Sequence, residues 1–323
     1  MTGAPVKAQA EPKLGPTKVQ NQPNMQFAAR LAQRASQVER LLADLLSPAL
    51  QHGEVARPDR LLAAMRHGTL NGGKRLRPFL LLETAAMLNA PSGSALRAAA
   101  ALECVHCYSL IHDDLPAMDD DDLRRGQPTV HKIFGEASAI LAGDSLLTFA
   151  FDLLADPQTH EDAGVRADLV LALARASGIG GIAGGQMLDL AAEKQDLTAA
   201  QISLLQAMKT GALIRCACEM GAVIAGVDGK KRQALLEFGQ HAGKAFQLAD
   251  DILDVTQSSE TLGKQAAKDK KRGKATLVSL LGIEQSREEA ARLLSGAVAA
   301  LKPFGEKAVW LRQAARFIVE RKY

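Results

Sequence analysis

Two aspartate clusters carry the chemistry legible in this chain of 323 residues. The second is the cleaner: Gln247-Leu-Ala-Asp250-Asp251-Ile-Leu-Asp254. Gln247, Asp250, Asp251 and Asp254 fall at i, i+3, i+4 and i+7, one face of a helix. Like charges so placed repel by a few tenths of a kcal/mol per pair. A solvated acidic face would account for the charge, but not for three aspartates sharing a stripe with a glutamine in an apolar segment. The first cluster lies in HDDLPAMDDDDLRRG, His112–Gly126, with six acids between Asp113 and Asp122 and Pro116 among them. In an unbroken helix, six residues turn about 240°, so Asp113 and Asp119 would face apart. Pro116 removes a helical hydrogen bond and clashes with the preceding turn. The spacing predicts a local bulge or loop that swings Asp119 beside Asp113. Hard oxygen ligands of this kind suit magnesium, which takes one or two carboxylates, keeps waters and completes its shell with phosphate oxygens. Two such faces around one cavity would hold several ions with a diphosphate between them. EF-hand spacing is absent, so a calcium loop is not expected.

A diphosphate needs cations nearby, and they are present. Arg124-Arg125 follows the first cluster, Lys74 and Arg77 sit in Gly72-Gly-Lys-Arg-Leu-Arg-Pro78, and Lys209 precedes Thr210. A basic run holds Lys264, Lys268, Lys270, Lys271, Arg272 and Lys274. On composition alone a solvated loop explains that run equally well. His106 and Ser109 lie seven and four residues before Asp113, on its helix face.

The elements that must position these groups read as helices. No proline occurs between Gln158 and Lys302, and aromatic residues make up only 4% of the chain; long helices tolerate that pattern and sheets with hairpins rarely do. Thr198 and Gln201 have capping-box spacing, with Leu204, Leu205, Met208 and Leu213 continuing an apolar helical pattern. Phe238, Ala242, Ala245, Ala249 and Ile252 form one core-facing stripe beside the second acid face. Residues 1–24 carry four of the twelve prolines and little apolar periodicity, which reads as a disordered tail. Met25 is a possible second start. Residues 25–323 read as a single all-α domain of ten or more helices.

Two nucleotide-like patterns fail on context. Gly68–Lys74 nearly spells a P-loop, but Arg75 replaces the hydroxyl residue and no strand precedes it. Gly178-Ile-Gly180-Gly181 follows a helical segment, not a strand. Close helix packing is the simpler use of these glycines. The formal charge of +3 gives no global case for nucleic acid or an anionic membrane. No secretory h-region is evident and no apolar run looks long enough to span a bilayer, so a cytoplasmic, reducing setting is expected. Cys104 and Cys107 share a helix face while Cys216 and Cys218 point apart, so the four thiols read as small core residues, not zinc ligands.

Asp113-Asp114-x4-Asp119 with Arg124-Arg125-Gly126, then Asp250-Asp251-x2-Asp254, resembles the paired motifs of the trans-isoprenyl diphosphate synthases. Gly72-Gly-Lys-Arg-x-Arg-Pro78, Gly185-Gln186-x2-Asp189, Lys209-Thr210-Gly211 and Phe246-Gln247 resemble that family's remaining motifs, in order. The resemblance runs from Gln26 to Arg316–Tyr323. It is greatest to bacterial members making fifteen-carbon products, which share the two-residue insertion and proline of the first motif. It implies helices around a deep central cavity, a homodimer, and a polyprenyl transferase that joins isopentenyl diphosphate head-to-tail, 1′-4, to dimethylallyl or geranyl diphosphate. It implies three magnesium ions, with manganese able to substitute. Asp113 and Asp119 would hold two ions and Asp250 the third, with Asp189 assisting and Asp251 and Asp254 acting through water. Arg124, Lys209, Lys264 and Lys274 would grip the allylic diphosphate; Lys74, Arg77, His106 and Arg125 would grip isopentenyl diphosphate. Thr210, Gln247 and the backbone near Lys209 would lie where the allylic cation forms, which makes Lys209, Thr210 and Gln247 the catalytic candidates. In the family a side chain just before the first motif stops chain growth. Tyr108, with Ser109 beside it, fits a fifteen-carbon product; ten- and twenty-carbon products are the alternatives. A terpene cyclase would mix Asn, Ser or Thr with Glu in its second metal motif and lack the Gly-Gly-Lys-Arg-x-Arg-Pro site. A non-catalytic partner subunit would have lost acids from one motif, and none is missing here.

Overall fold

A computed structural model describes residues 21–192, 195, 197–260 and 276–320. Helix α4, Ser92–Asp113, runs through the centre. Ala98, Ala99, Ala100, Ala101 and Leu102 are all fully buried; a helix apolar on every side belongs inside a helical core. Around it pack α1 (Asn21–Leu45), α2 (Asp59–Leu70), α3 (Leu76–Met87) and α6 (Glu136–Ala155). Small residues let α4 and α6 approach closely: a Cβ on Gly143 would lie 2.1 Å from the His112 ring. The rest of the described chain supplies α5 (Val130–Phe134), α7 (Ala163–Ser177), α8 (Ile182–Ala192), α9 (Ala199–Gln206), α10 (Ala212–Ile224) and α11 (Gly229–Glu260). After them come α12 (Leu277–Leu281), α13 (Ile283–Ala300) and α14 (Val309–Glu320). Helix α10 packs between α3 and α11, and α13 and α14 lie against α11. The all-α reading is borne out. Helix α1 opens at Asn21, four residues inside the stretch read as a tail.

Three local features shape the site. Helix α4 stops at Asp113, and the Asp119 amide donates to the Asp113 carbonyl at 2.8 Å. Pro116 therefore sits in a tight turn that brings Asp119 back to the helix end, as the six-residue spacing predicts. Next, Leu123–Arg124 pairs antiparallel with Gln127–Pro128, leaving Arg125-Gly126 as a two-residue turn with φ of 54° and 75°. Both values match the type I′ hairpin, which normally takes Asn-Gly or Gly-Gly. A β-unbranched but long arginine there costs on the order of 1 kcal/mol or more in backbone strain, a cost typical of functional positions. Finally, Ala207–Gly211 between α9 and α10 is a π-helical turn. Its extra residue rotates everything after it by about 100°.

That rotation corrects the expected apolar pattern. The Thr198–Gln201 capping box is present and Leu213 is buried, but Leu204 is 55% exposed, because one helical phase does not carry through the π turn. The core stripe of α11 holds: Phe238, Ala242, Ala245 and Ala249 are buried. The four cysteines are buried and free, and burial pushes the Cys107 and Cys218 thiols up to about 12. The near P-loop is a turn after helix α2, with no strand before it. Its Arg75 is buried, has φ of 48°, and is held by Glu103 at 2.6 Å and the Thr69 carbonyl at 2.6 Å. The expectation about apolar runs is also corrected. Glu136–Ala155 and Ala163–Ala192 are long and apolar enough to cross a membrane by length and composition, with mean hydropathies of 1.5 and 1.3. Both pack one side against the helical core.

Candidate active site

The end of α4, α8, the π turn and α11 meet at the acids. Lys209, in the π turn, places its Nζ 2.7 Å from Asp189 Oδ2 on α8 and 3.8 Å from Asp113 Oδ2. Helix α8 can come this close because of its glycines: a Cβ on Gly185 would sit 2.3 Å from the Lys209 backbone nitrogen, and one on Gly184 2.7 Å from Met208 Cε. Gly184 and Gly185 thus serve helix packing, whereas Gly178 and Gly181 lie against the carbonyls of Ala174 and Ala176 in the turn after α7 and a Cβ on Gly180 would meet nothing within 4 Å. Gln186 donates from Nε2 to Asp113 Oδ1, while its own Oε1 is buried without a partner. Burial raises the Asp113 carboxyl above its usual range; Lys209 pulls it back and the charge of Asp119 pushes it up again. An acid destabilised in its charged form, beside a second acid and an orphaned acceptor oxygen, fits a bound cation with ligating water. The donor set of Asp113, Asp119, Asp189, Asp250 and Asp254 is all oxygen, which suits magnesium. Among the described residues no group of three or more ligating side chains is gathered.

The second acid face joins through the π turn. A Cβ on Gly243 of α11 would lie 2.8 Å from Gly211 Cα, so the two backbones touch. One turn on, the Thr210 hydroxyl donates to Gln247 Oε1 at 2.7 Å, and Gln247 Nε2 donates to Asp251 Oδ1 at 2.9 Å. Gln206, just before the π turn, donates to Asp251 Oδ2 at 2.8 Å. Asp251 is buried, and burial raises its carboxyl to about 6 against the pull of both glutamines. Asp250 is half-buried and Asp254 exposed on the same face, and both charges raise the Asp251 carboxyl further.

A separate cationic corner lies behind. Arg77 Nη1 is 3.4 Å from His106 Nε2, and the Arg125 guanidinium donates to the Gly72 carbonyl. Gly73, with φ of 120°, admits that guanidinium: a Cβ there would meet it at 2.7 Å. Arg77 Nε and His106 Nδ1 are buried without hydrogen-bond partners. Burial, then the charges of Arg77 and Arg125, hold the His106 imidazole well below its usual range. Orphaned donors among like charges are the complement of an anion. Lys74 lies 5.4 Å from the Phe317 ring centroid on α14. Arg124 is bound to buried Asp114, with its Nε at 2.9 Å, and reaches Asp121 at 3.3 Å. Lys264 and Lys274 lie outside the described residues. Tyr108 is buried with its ring edge-on to His112, centroids 5.8 Å apart, and the Ser109 hydroxyl donates to the His106 carbonyl at 2.8 Å. A cavity of about 890 Å³ opens on the other side of the π turn, lined by Arg175, Met208, Arg215 and Lys244 among others. None of the motif acids lines it, though Gly211 of the Lys209-Thr210-Gly211 motif does.

A model of the polyprenyl synthetase family matches residues 58–308. The chain belongs to the polyprenyl synthetase family. It is 46% identical to the farnesyl diphosphate synthase of Escherichia coli over 266 residues, 81% of this chain and 89% of that protein. It is 39% identical to the geranylgeranyl diphosphate synthase of Cyanophora paradoxa over 301 residues, 93% and 98% of the two chains. The apo crystal structure of an FPP/GFPP synthase from Zymomonas mobilis superposes with a TM-score of 0.82 at 42% identity, covering 91% of this chain and 99% of that one. Within this polyprenyl synthetase, the sequence motifs had not pointed to three features: Gln206, the Asp114–Arg124 pair and the I′ turn carrying Arg125. Gly126 after Arg125 was the available signal for the last.

Proposed function

We propose that this polyprenyl transferase is a farnesyl diphosphate synthase, joining isopentenyl diphosphate to dimethylallyl and then geranyl diphosphate. The observation that carries the reading is the juxtaposition of a cation-seeking region and an anion-seeking one, with the charge of Asp250 acting on Arg77. One is acid-rich and centred on Asp113, Asp189 and Lys209; the other is the cationic corner of Arg77, His106 and Arg125. One substrate must ionise through a metal-neutralised leaving group, and the other is held by cations alone.

Asp113, Asp119, Asp189, Asp250 and Asp254 would hold magnesium, in three ions with manganese able to substitute. Bound there, the metal supplies charge neutralisation for the departing pyrophosphate. Arg124 and Lys209, with Lys264 and Lys274, bind the allylic diphosphate and orient its C–O bond. Heterolysis of that bond leaves an allylic cation at C1 and pyrophosphate. Lys74, Arg77, His106 and Arg125 hold isopentenyl diphosphate so that its double bond faces C1. The oxygens of Thr210 and Gln247 face the cation and stabilise it electrostatically. The new C1–C4 bond forms, C2 of the former isopentenyl unit loses a proton, and the pyrophosphate accepts it. No side chain need act as base. Tyr108 closes the apolar shaft at fifteen carbons.

A homodimer fits the same reading. The outer face of α6 exposes Ile140 and Leu141, with Ile133 just before it, and an apolar stripe of this kind suits burial against a second copy. The setting is cytoplasmic. The test is direct: purified protein with magnesium, isopentenyl diphosphate and each allylic donor yields farnesyl diphosphate. A twenty-carbon product would move the assignment to a geranylgeranyl synthase, and no prenyl product from any donor would overturn it.

A further inference from the structure

The Thr210–Gln247–Asp251–Gln206 chain has a direction, and a carboxylate sets it. An ionised carboxylate only accepts hydrogen bonds, whereas a carboxamide has one accepting and one donating end. Asp251 Oδ1 lies 2.9 Å from the Gln247 amide nitrogen, so the Gln247 carbonyl oxygen is turned the other way, towards Thr210 at 2.7 Å. The Thr210 hydrogen is consumed in that bond, which leaves the hydroxyl's lone pairs outward. The second oxygen of Asp251 is taken by Gln206 at 2.8 Å, which anchors the carboxylate to the residue before the π turn. Asp251 and Gln206 are both buried. We infer that Asp251 is a positioning residue. It fixes the polarity of Gln247 and Thr210 so that the Gln247 carbonyl oxygen and the Thr210 lone pairs, not the Thr210 hydrogen, face the forming allylic cation. This differs from a role in metal binding through water, and it rests on the function proposed above.

The consequence of losing the charge follows from the same geometry. With Asp251→Asn, the 251 side chain can offer either end, Gln247 is free to flip, and the Thr210 hydrogen can turn towards the cation. A flipped site binds both substrates as before but repels the developing charge. Asp251→Asn is therefore expected to lower kcat about ten-fold or more, with the KM for each substrate and the half-saturating magnesium concentration within about two-fold of wild type. Asp250→Asn, by contrast, raises the magnesium requirement. Swapping the two groups, Asp251→Asn with Gln247→Glu, conserves net charge and again leaves only an acceptor facing Thr210. That double variant regains most of the lost kcat, and an unchanged far-UV circular dichroism of Asp251→Asn shows that the single variant is folded. Unchanged kcat in Asp251→Asn, a magnesium requirement rising alongside that of Asp250→Asn, or no recovery in the double variant would overturn the inference. Wild-type protein that makes no prenyl diphosphate would instead overturn the function itself, so the two failures are distinct.

Discussion

Asp113 closes α4, and Asp250 lies within α11. Replacing either with Asn keeps volume and removes one charge. Turnover is expected to fall by about a hundred-fold or more, since these groups act where charge develops, while the far-UV circular dichroism stays helical. Full activity in either variant would refute the metal assignment. His106 offers a pH test. Its folded pKa lies well below 6.5, chiefly through burial and then through Arg77 and Arg125. Below about pH 6.5 the unfolded chain binds a proton there that the folded chain refuses. The stability His106 contributes is thus present above the unfolded pKa and lost as pH falls towards the folded one. Thermal melts without substrate between pH 7 and 5 will show a steeper loss in wild type than in His106→Gln; parallel curves would contradict this. Tyr108 fills buried space beside His112, and Tyr108→Ala is expected to shift the product beyond fifteen carbons on chromatography of the hydrolysed alcohols.

Helix α8 and the π turn form the element-scale device. Lys209, Thr210 and Gly211 meet three different partners: Asp189 on α8, Gln247 on α11 and the backbone at Gly243. A regular helix spaces successive side chains by 100°; the wider π turn lets neighbouring residues address facing helices. Glycine at 184, 185 and 243 permits the approach. Gly185→Ala would push a methyl group against the Lys209 backbone. A cost of about 1–3 kcal/mol is expected from that overpacking, read as a lowered Tm, together with reduced kcat as Lys209 leaves Asp189. An unchanged melt would mean that the helices separate freely there. Asp113 and Asp119 obey the same logic on α4, where the Pro116 turn substitutes for a helical phase that would hold them apart.

At the scale of the whole molecule, the central helix α4 is buried on nearly all sides, while α6 is apolar on both its inner and outer faces. Ile140→Asp with Leu141→Lys changes two exposed side chains of that outer face and is expected to convert the proposed dimer to monomers, measured by light scattering after gel filtration. A mass unchanged from a dimeric wild type would place the interface elsewhere, and a monomeric wild type would overturn the proposed dimer. Because Asp113 lies at the end of the helix that packs on α6, activity measured in the same variant will report whether the proposed dimer supports the site.

The sequence by itself determined the helical class, the two acid faces, the function of the Pro116 interruption and the order of the motifs. These are matters of local period and spacing, which a single chain displays. Only the tertiary structure decided which acid meets which cation. Lys209 lies 20 residues from Asp189 in sequence and Gln206 lies 45 from Asp251, and no periodicity encodes such pairs. The I′ turn under Arg125 and the π turn under Lys209 were hidden for a related reason. Each is a departure from regular backbone held in place by its surroundings, Gly72–Gly73 in one case and α8 with α11 in the other, so its cause is not local to the residues that adopt it.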